Sequence, residues 1–400
     1  MKSKILVFFL FVCILPVFAG GASEDQNSIV LWTNEGESEQ ALDWLNTLAA
    51  RFEEQTGFAL EIVSKDTEAL REDYISASIA GAPPDFLWTV NDHAGPFKTA
   101  GLLDVVNDMY DADVFVDTVT FNGDAYAVPI SAGNHLMLLY NKNLISSAPN
   151  DVNEFIDAAE SITGDGVYGL VYNQIEPFWL VPWLGGFGGQ VFAEDGVTPT
   201  LNTSAMVDTL AFLSDLKTVY GIVPEESDYG TADTLFKEGK AGFIVNGDWS
   251  LSDYVSVFGD DLGIAPLPMI NKTGEYPAPY TSGKYFMVTA GLAEEKRELI
   301  KEFIAYALSA EVQEEMVSAF KRLPARKSVL DSPLVADDPI LASSGKQMSY
   351  GTPMPSVIEM RAVWDAIKPE MNAVLFSGKS PNDAARAMQE TAEAGIQNLQ

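Results

Sequence analysis

Two hydrophobic periods exchange places along this chain, and that exchange constrains its fold more than any other feature. Ser28–Thr33 reads as an apolar strand ended by Asn34-Glu35-Gly36. Leu42, Leu45, Leu48 and Phe52 then recur at helical spacing until Gly57 stops the helix. Phe58, Leu60 and Ile62 alternate as a second strand, and a helix through Leu70 and Tyr74 ends near Gly81. Pro83-Pro84-Asp85 feeds a third strand, Phe86–Val90. Strand, helix, strand, helix, strand predicts a parallel sheet with helices on both faces. Phe121-Asn122-Gly123-Asp124-Ala125 interrupts the series as a hairpin turn.

A second βα series begins at residues 136–140 and continues with helices over 152–161 and 204–220. The latter carries Met206, Leu210, Leu213 and Leu216 on one stripe, with Asn202 placed to cap its first turn and Gly221 where a left-handed end is wanted. Residues 292–308 and 311–320 read as paired helices, and 357–376 and 382–399 as terminal ones. No repeat and no low-complexity linker separates the two series. Two α/β lobes without a tether imply short crossing strands, a hinge and a cleft between the lobes.

The N-terminus reads as a secretory leader. Lys2 and Lys4 precede an apolar stretch from Ile5 to Phe18, and Val17-Phe18-Ala19 offers a small-residue exit, with cleavage expected after Ala19. The stretch is short of the roughly 20 apolar residues a membrane span needs. Val12 stands before Cys13 where a lipoprotein signal calls for Gly, Ala or Ser, which argues against lipid anchoring. Cys13 is the one cysteine, so the mature chain is expected to hold neither disulfide nor thiolate chemistry. About 380 residues then remain, enough for two domains. Only 24 basic residues face 57 acidic ones, a net charge of −33. That balance opposes nucleic acid, anionic membranes and polyanionic ligands, and serves solubility.

Residues 235–249, LFKEGKAGFIVNGDW, place a large indole just past a strand end. The apolar run 242–245 predicts a buried strand, and Asn246-Gly247 reads as the turn that ends it. Open α/β sheets set their ligands at such strand ends. Trp249 is there either a stacking platform for a sugar ring or an anchor beneath a loop.

Several short stretches, in order, carry a resemblance over nearly the whole mature chain. They are Pro84-Asp85 followed by Trp88 and Asp92; Tyr126-Ala-Val-Pro-Ile130 leading to Leu139-Tyr140-Asn141-Lys142-Asn143-Leu144; Asn173-Gln-Ile-Glu-Pro-Phe178; Asn246-Gly-Asp-Trp249; and Met354-Pro355 ahead of Trp364. The chain resembles the maltose/maltodextrin-binding family of extracellular solute-binding proteins (family 1) of bacterial ABC importers. The resemblance implies a two-lobed periplasmic-binding-protein fold of class α/β, with discontinuous domains around a hinge and ligand cleft. On that pattern residues 28–132 and 283–335 form one lobe, and 135–280 and 340–400 the other, the chain crossing near 131–135, 280–283 and 333–339. It further implies a monomeric periplasmic receptor that closes on an α-1,4-linked glucose oligomer and docks on a membrane permease, with no catalysis, cofactor or metal.

The same resemblance designates ligand residues, each with a plainer alternative. Glu176, Pro177 and Phe178 match an element whose carboxylate accepts sugar hydroxyls and whose ring stacks; equally, Glu before Pro starts a helix. Trp249 and Trp364 match stacking indoles, though Trp364 shares its helix with the core-like Met360 and Val363. Asp92 matches a first-lobe ligand carboxylate and otherwise reads as a helix cap. Met354 is expected as a soft pocket wall or ordinary core. Asn134 and His135 fall where the family carries a hinge-side carboxylate, so an acid has been lost. Gly36 and Glu37 replace a charged pair and a lysine is missing. Thr89 stands at an expected indole while Trp88 precedes it, and His93 replaces an arginine. A one-residue shift on a strand turns a side chain to the other face. Trp183, beside Gly185-Gly186, lines an enlarged cleft or packs. These departures leave the sugar open.

Two other classes fit the composition. A glycoside hydrolase needs two carboxylates about 5–9.5 Å apart, and Glu176 and Asp92 are the available pair. No nucleophile motif or metal-spaced histidine cluster accompanies them, His93 and His135 being the only histidines. A receptor for another glycan or a non-sugar solute is the second. Capture of an anionic one calls for arginines, in which the cleft segments are poor.

Overall fold

The computed structural model describes residues 28–399, apart from the side chain of Glu37. The expected leader and Cys13 lie outside the described residues. Strands β1 (Ser28–Thr33), β2 (Ala59–Ser64), β3 (Phe86–Val90) and β4 (Val128–Gly133) precede the first crossing. Strands β5 (Leu136–Asn141), β6 (Tyr168–Tyr172), β7 (Ala241–Gly247), β8 (Leu262–Ala265) and β9 (Tyr280–Val288) follow it.

The first sheet has six strands in the order β2-β1-β3-β9, with β9 also pairing β4 and, in parallel at Tyr280 and Thr281, the short strand Thr352–Pro353. β1 pairs in parallel with β2 and β3, as the alternation predicts, while β9 returns from the far part of the chain and runs antiparallel to both β3 and β4. The sheet is therefore mixed, because two of its strands are crossing segments rather than βα units. β3 is buried along its whole length. Phe86 and Trp88 enter one core with Phe52, Phe286 and Phe303, and Leu87 enters another with Tyr74, Phe97 and Met287. Alternate side chains of a strand point to opposite faces, so helices Glu39–Thr56 and Thr67–Ile79 cover the two sides.

The second sheet has the order β8-β5-β7-β6, with only the β6–β7 pair parallel. Its larger core takes Phe243 and Val245 from β7 together with Leu210, Leu213 and Leu216 of helix Ser204–Thr218. Helices Glu359–Ser377 and Pro381–Gln397 contribute Val363, Ile367 and Met388 to the same core. Asn134 and His135 alone separate β4 from β5. A small cluster of Ala132, Val317, Leu323, Val335 and Leu341 packs around this crossing.

Two local expectations are corrected. Asn202 does not cap the helix at Ser204: Thr203 does, its hydroxyl accepting the Met206 N–H at 3.2 Å from extended backbone. Asn202 is one residue too early, and its own N–H goes to Gln389 at 3.2 Å. Asn246-Gly247 is not a turn either. Both residues are strand, paired to Met137 and Leu136, and Gly247 is extended with φ −95°. Gly221 does take the left-handed form, φ 63°.

Candidate functional site

Gly247 has a different use from the one its neighbour Asn246 suggests. The chain turns at Asp248–Ser250 so that the Trp249 ring folds back over the end of β7. A Cβ on Gly247 would stand 2.1 Å from that ring. The indole N–H donates to the Tyr229 hydroxyl at 3.1 Å. Trp179 meets the Trp249 ring edge-on with centroids 6.2 Å apart, and its own N–H donates to the Val245 carbonyl at 2.8 Å. Phe178 lies 6.2 Å from Trp249, tilted and half-buried. Trp249, only 7% exposed, is thus one face of an aromatic cluster.

Pro177 opens a short turn, Pro177–Trp179, and Glu176 precedes it without capping it. The Glu176 carboxylate instead pairs with Lys368 on helix Glu359–Ser377. Trp364, one turn earlier, shares that helix face. Its ring meets Tyr280 edge-on with centroids 6.1 Å apart.

From the first lobe, Asp92 projects toward Trp364, whose indole N–H favours the charged carboxylate. Asp92 sits second in the turn Asn91–His93, so it is no helix cap. Burial pushes its pKa up to about 6, with nearby Glu68 adding to the rise and the Trp364 N–H opposing it. Its Oδ1 is buried without a partner. Next to it, Asn91 donates to the Met354 carbonyl at 2.9 Å. Met354 is buried and, with Tyr280, borders a groove of about 520 Å³ that extends past Phe192 and Val357. The lobes also meet through Glu68 and Arg361 at 3.1 Å and through Ser38 and Asp253 at 3.3 Å. The structure therefore brings Asp92, Met354 and Trp364 together across the lobes, and Glu176, Phe178 and Trp249 together on the second.

Two indole expectations are corrected. Trp88 is 1% exposed, packed edge-on to Phe286 at 5.2 Å, and its N–H donates to Glu35 at 2.9 Å. Trp183 is 1% exposed against Phe212 at 5.0 Å. Both are core by burial, and the Trp88 donor is already used. Asn134 is buried in left-handed backbone, φ 44°. Glu37 closes the turn Glu35–Glu37, its side chain lying outside what is described.

Sequence reasoning missed Trp179, Tyr229 and Glu35. Glu35 accepts Arg322 at 2.8 Å as well as Trp88, and both ionic partners are almost fully buried. Burial raises its pKa, but Arg322, Lys284 and the Trp88 donor together outweigh that and hold the carboxyl below its ordinary value. His93 is buried against Thr89 at 2.9 Å, and desolvation depresses its pKa to about 3, which keeps it neutral. Among the described residues no cluster of His, Cys, Asp or Glu is arranged to hold a metal ion.

Known proteins with this architecture share more than the outline. The family model described as bacterial extracellular solute-binding protein matches residues 47–343. The structure is similar to the maltose/maltodextrin-binding domain MalE from Bdellovibrio bacteriovorus bound to maltotriose, at TM-score 0.88 and 34% identity, covering 92% of this chain and 100% of that one. Among curated relatives, the maltotriose-binding protein of Pyrococcus abyssi is 26% identical, covering 85% of this chain and 76% of its own length. The galactooligosaccharide-binding protein of Bacillus subtilis is 24% identical, over 99% of this chain and 98% of its own. A model matched over most of the chain and a 34% identical structure matched over its full length carry the same conclusion: this chain belongs to the bacterial extracellular solute-binding proteins, with their two-lobed α/β fold.

Proposed function

We propose that the cleft binds an α-1,4-linked glucose oligomer, with maltotriose the first candidate, and that the closed receptor delivers it to the permease of an ABC importer. The carrying observation is the combination of two aromatic walls and two carboxylates at the meeting of the lobes. Trp249 and Phe178 form one wall, Trp364 and Tyr280 the other, with Glu176 and Asp92 beside them. The faces of such rings suit the C–H face of a pyranose. Carboxylates accept pairs of sugar hydroxyls through charge-assisted bonds. The relatives named for maltotriose support the choice of sugar.

Binding without turnover is part of the reading. Glu176 is engaged by Lys368, so it acts as a hydrogen-bond partner rather than as a free acid or base. We place the receptor outside the cytoplasmic membrane, in the periplasm, as a monomer with the permease as its partner. A galactooligosaccharide is the second reading, favoured by the Bacillus subtilis relative that spans the whole chain and by the rewritten first lobe. Calorimetric titration with maltose, maltotriose and a galactooligosaccharide, with product analysis, separates these cases. Micromolar or tighter maltotriose binding without new products supports the proposal. Galactoside binding alone replaces the sugar, and released monosaccharide replaces the receptor with a hydrolase.

A further inference from the structure

The carboxylate missing from the first crossing segment has a counterpart supplied from the opposite side. Asp248, 1% exposed, places Oδ2 3.1 Å from the Asn134 N–H. Its own N–H reaches back to the His135 carbonyl at 3.3 Å. The two bonds grip the pair of residues that joins β4 to β5. Asn134 is held there in left-handed backbone, and Gly133 before it has φ 114°. Gly133 has no room for a side chain, since a Cβ would stand 2.3 Å from Asp248 Oδ2. His135, fully buried, donates in turn to the Ser344 carbonyl at 2.9 Å, on helix Pro339–Met348. Asp248 is thus joined to the crossing backbone on one side and to Trp249, by one peptide bond, on the other.

We propose that Asp248 is a positioning residue that couples the stacking indole to the hinge. A ligand pressing on Trp249 acts on the turn Asp248–Ser250, and the carboxylate passes that constraint to the Asn134 backbone, where the angle between the lobes is set. The clamp forms in the arrangement in which the lobes touch at Glu68–Arg361 and Ser38–Asp253, and it stabilises that arrangement. The sugar arm of the test rests on the cleft reading above; the arms without ligand do not.

The experiment compares wild type, Asp248→Ala and Asp248→Asn. Maltotriose affinity is measured by calorimetry, and the inter-lobe distance by spin labels at the exposed positions Glu72 and Thr218. Loss of a hydrogen bond to a charged group predicts that D248A binds roughly ten-fold or more weakly and is more open without ligand. D248N keeps an oxygen for the Asn134 N–H and is expected within about three-fold of wild type. Wild-type affinity and distances in D248A overturn the coupling, as does equal loss in both variants. A melting temperature lowered alone leaves Asp248 with a structural role only and also overturns it. Should D248A not fold, amide exchange at Asn134 in unliganded wild type decides: strong protection is expected, and an unprotected amide overturns the clamp. Failure of wild type to bind maltotriose refutes the sugar reading separately, in the titration alone.

Discussion

Asp92 and Trp364 face each other from different lobes, the indole N–H favouring the charged carboxylate, and Asp92 Oδ1 is buried without a partner. An acceptor held dry and unsatisfied costs free energy until something donates to it. A sugar hydroxyl would supply that donor.

The titration of Asp92 gives the first prediction. The folded state keeps its proton up to about pH 6, the unfolded chain only to about 4. The folded state therefore binds more protons across that window, and this group's contribution to stability falls as pH rises from about 4 to about 6. Asp92→Asn should flatten that slope in denaturant titrations at successive pH values. Sugar affinity should run the other way, rising through pH 6 as the stronger, ionised acceptor forms. Identical pH profiles in wild type and D92N would remove Asp92 from the site.

Trp249 is buried and is proposed to stack on the sugar, so Trp249→Ala should cost both stability and affinity. About 3 kcal/mol of stability is expected from the cavity, and about 2–4 kcal/mol of binding from the lost stacking anchor. Tyr229→Phe probes the indole's orientation by removing the acceptor of the Trp249 N–H, and about 1 kcal/mol of binding should go with it. Glu176→Ala should lose about 2 kcal/mol of binding, whereas breaking the half-exposed pair from the other side with Lys368→Ala should cost at most about 1 kcal/mol of stability. Calorimetry and denaturant unfolding read these separately. Unchanged affinity in both W249A and E176A would withdraw the site.

Arg322 and Glu35 form an ion pair buried in the first lobe, 287 residues apart in the chain. Removing one partner of such a pair strands the other, at about 3–5 kcal/mol. Arg322→Met should therefore lower the melting temperature markedly, while Glu35→Gln/Arg322→Met together should recover part of the loss. A melting temperature unmoved by R322M would show that Glu35 is satisfied by other groups.

Fold elements were legible in the sequence where the evidence was local. Alternating Ile29, Leu31 and Thr33 are the buried side of β1, and the stripe from Met206 to Leu216 is the buried face of its helix. The site was legible only in part. Trp88, Trp183 and Trp249 look alike as residues, and how each of them packs depends on Glu35, Phe212 and Tyr229, partners far away in the chain. Local signals also misled where tertiary pairing overrode them: Asn246-Gly247 has turn chemistry, yet β5 offers Leu136 and Met137 as ladder partners and the strand continues.

That override yields the last prediction. A turn glycine is needed for positive φ, whereas Gly247 has φ −95°, a value any residue adopts. If conformation were the requirement, Gly247→Ala would be harmless or mildly stabilising. The structure requires space instead, because the Trp249 ring occupies the volume of the missing Cβ. Gly247→Ala should then push the indole off its seat, costing about 1–3 kcal/mol of stability from overpacking and weakening sugar binding alongside. Tryptophan fluorescence and titration would follow both effects. In the double variant Gly247→Ala/Trp249→Ala the stability cost of the alanine should vanish, since the ring it collides with is gone. A cost that persists in the double variant would mean that the backbone, and not the indole, rejects the side chain.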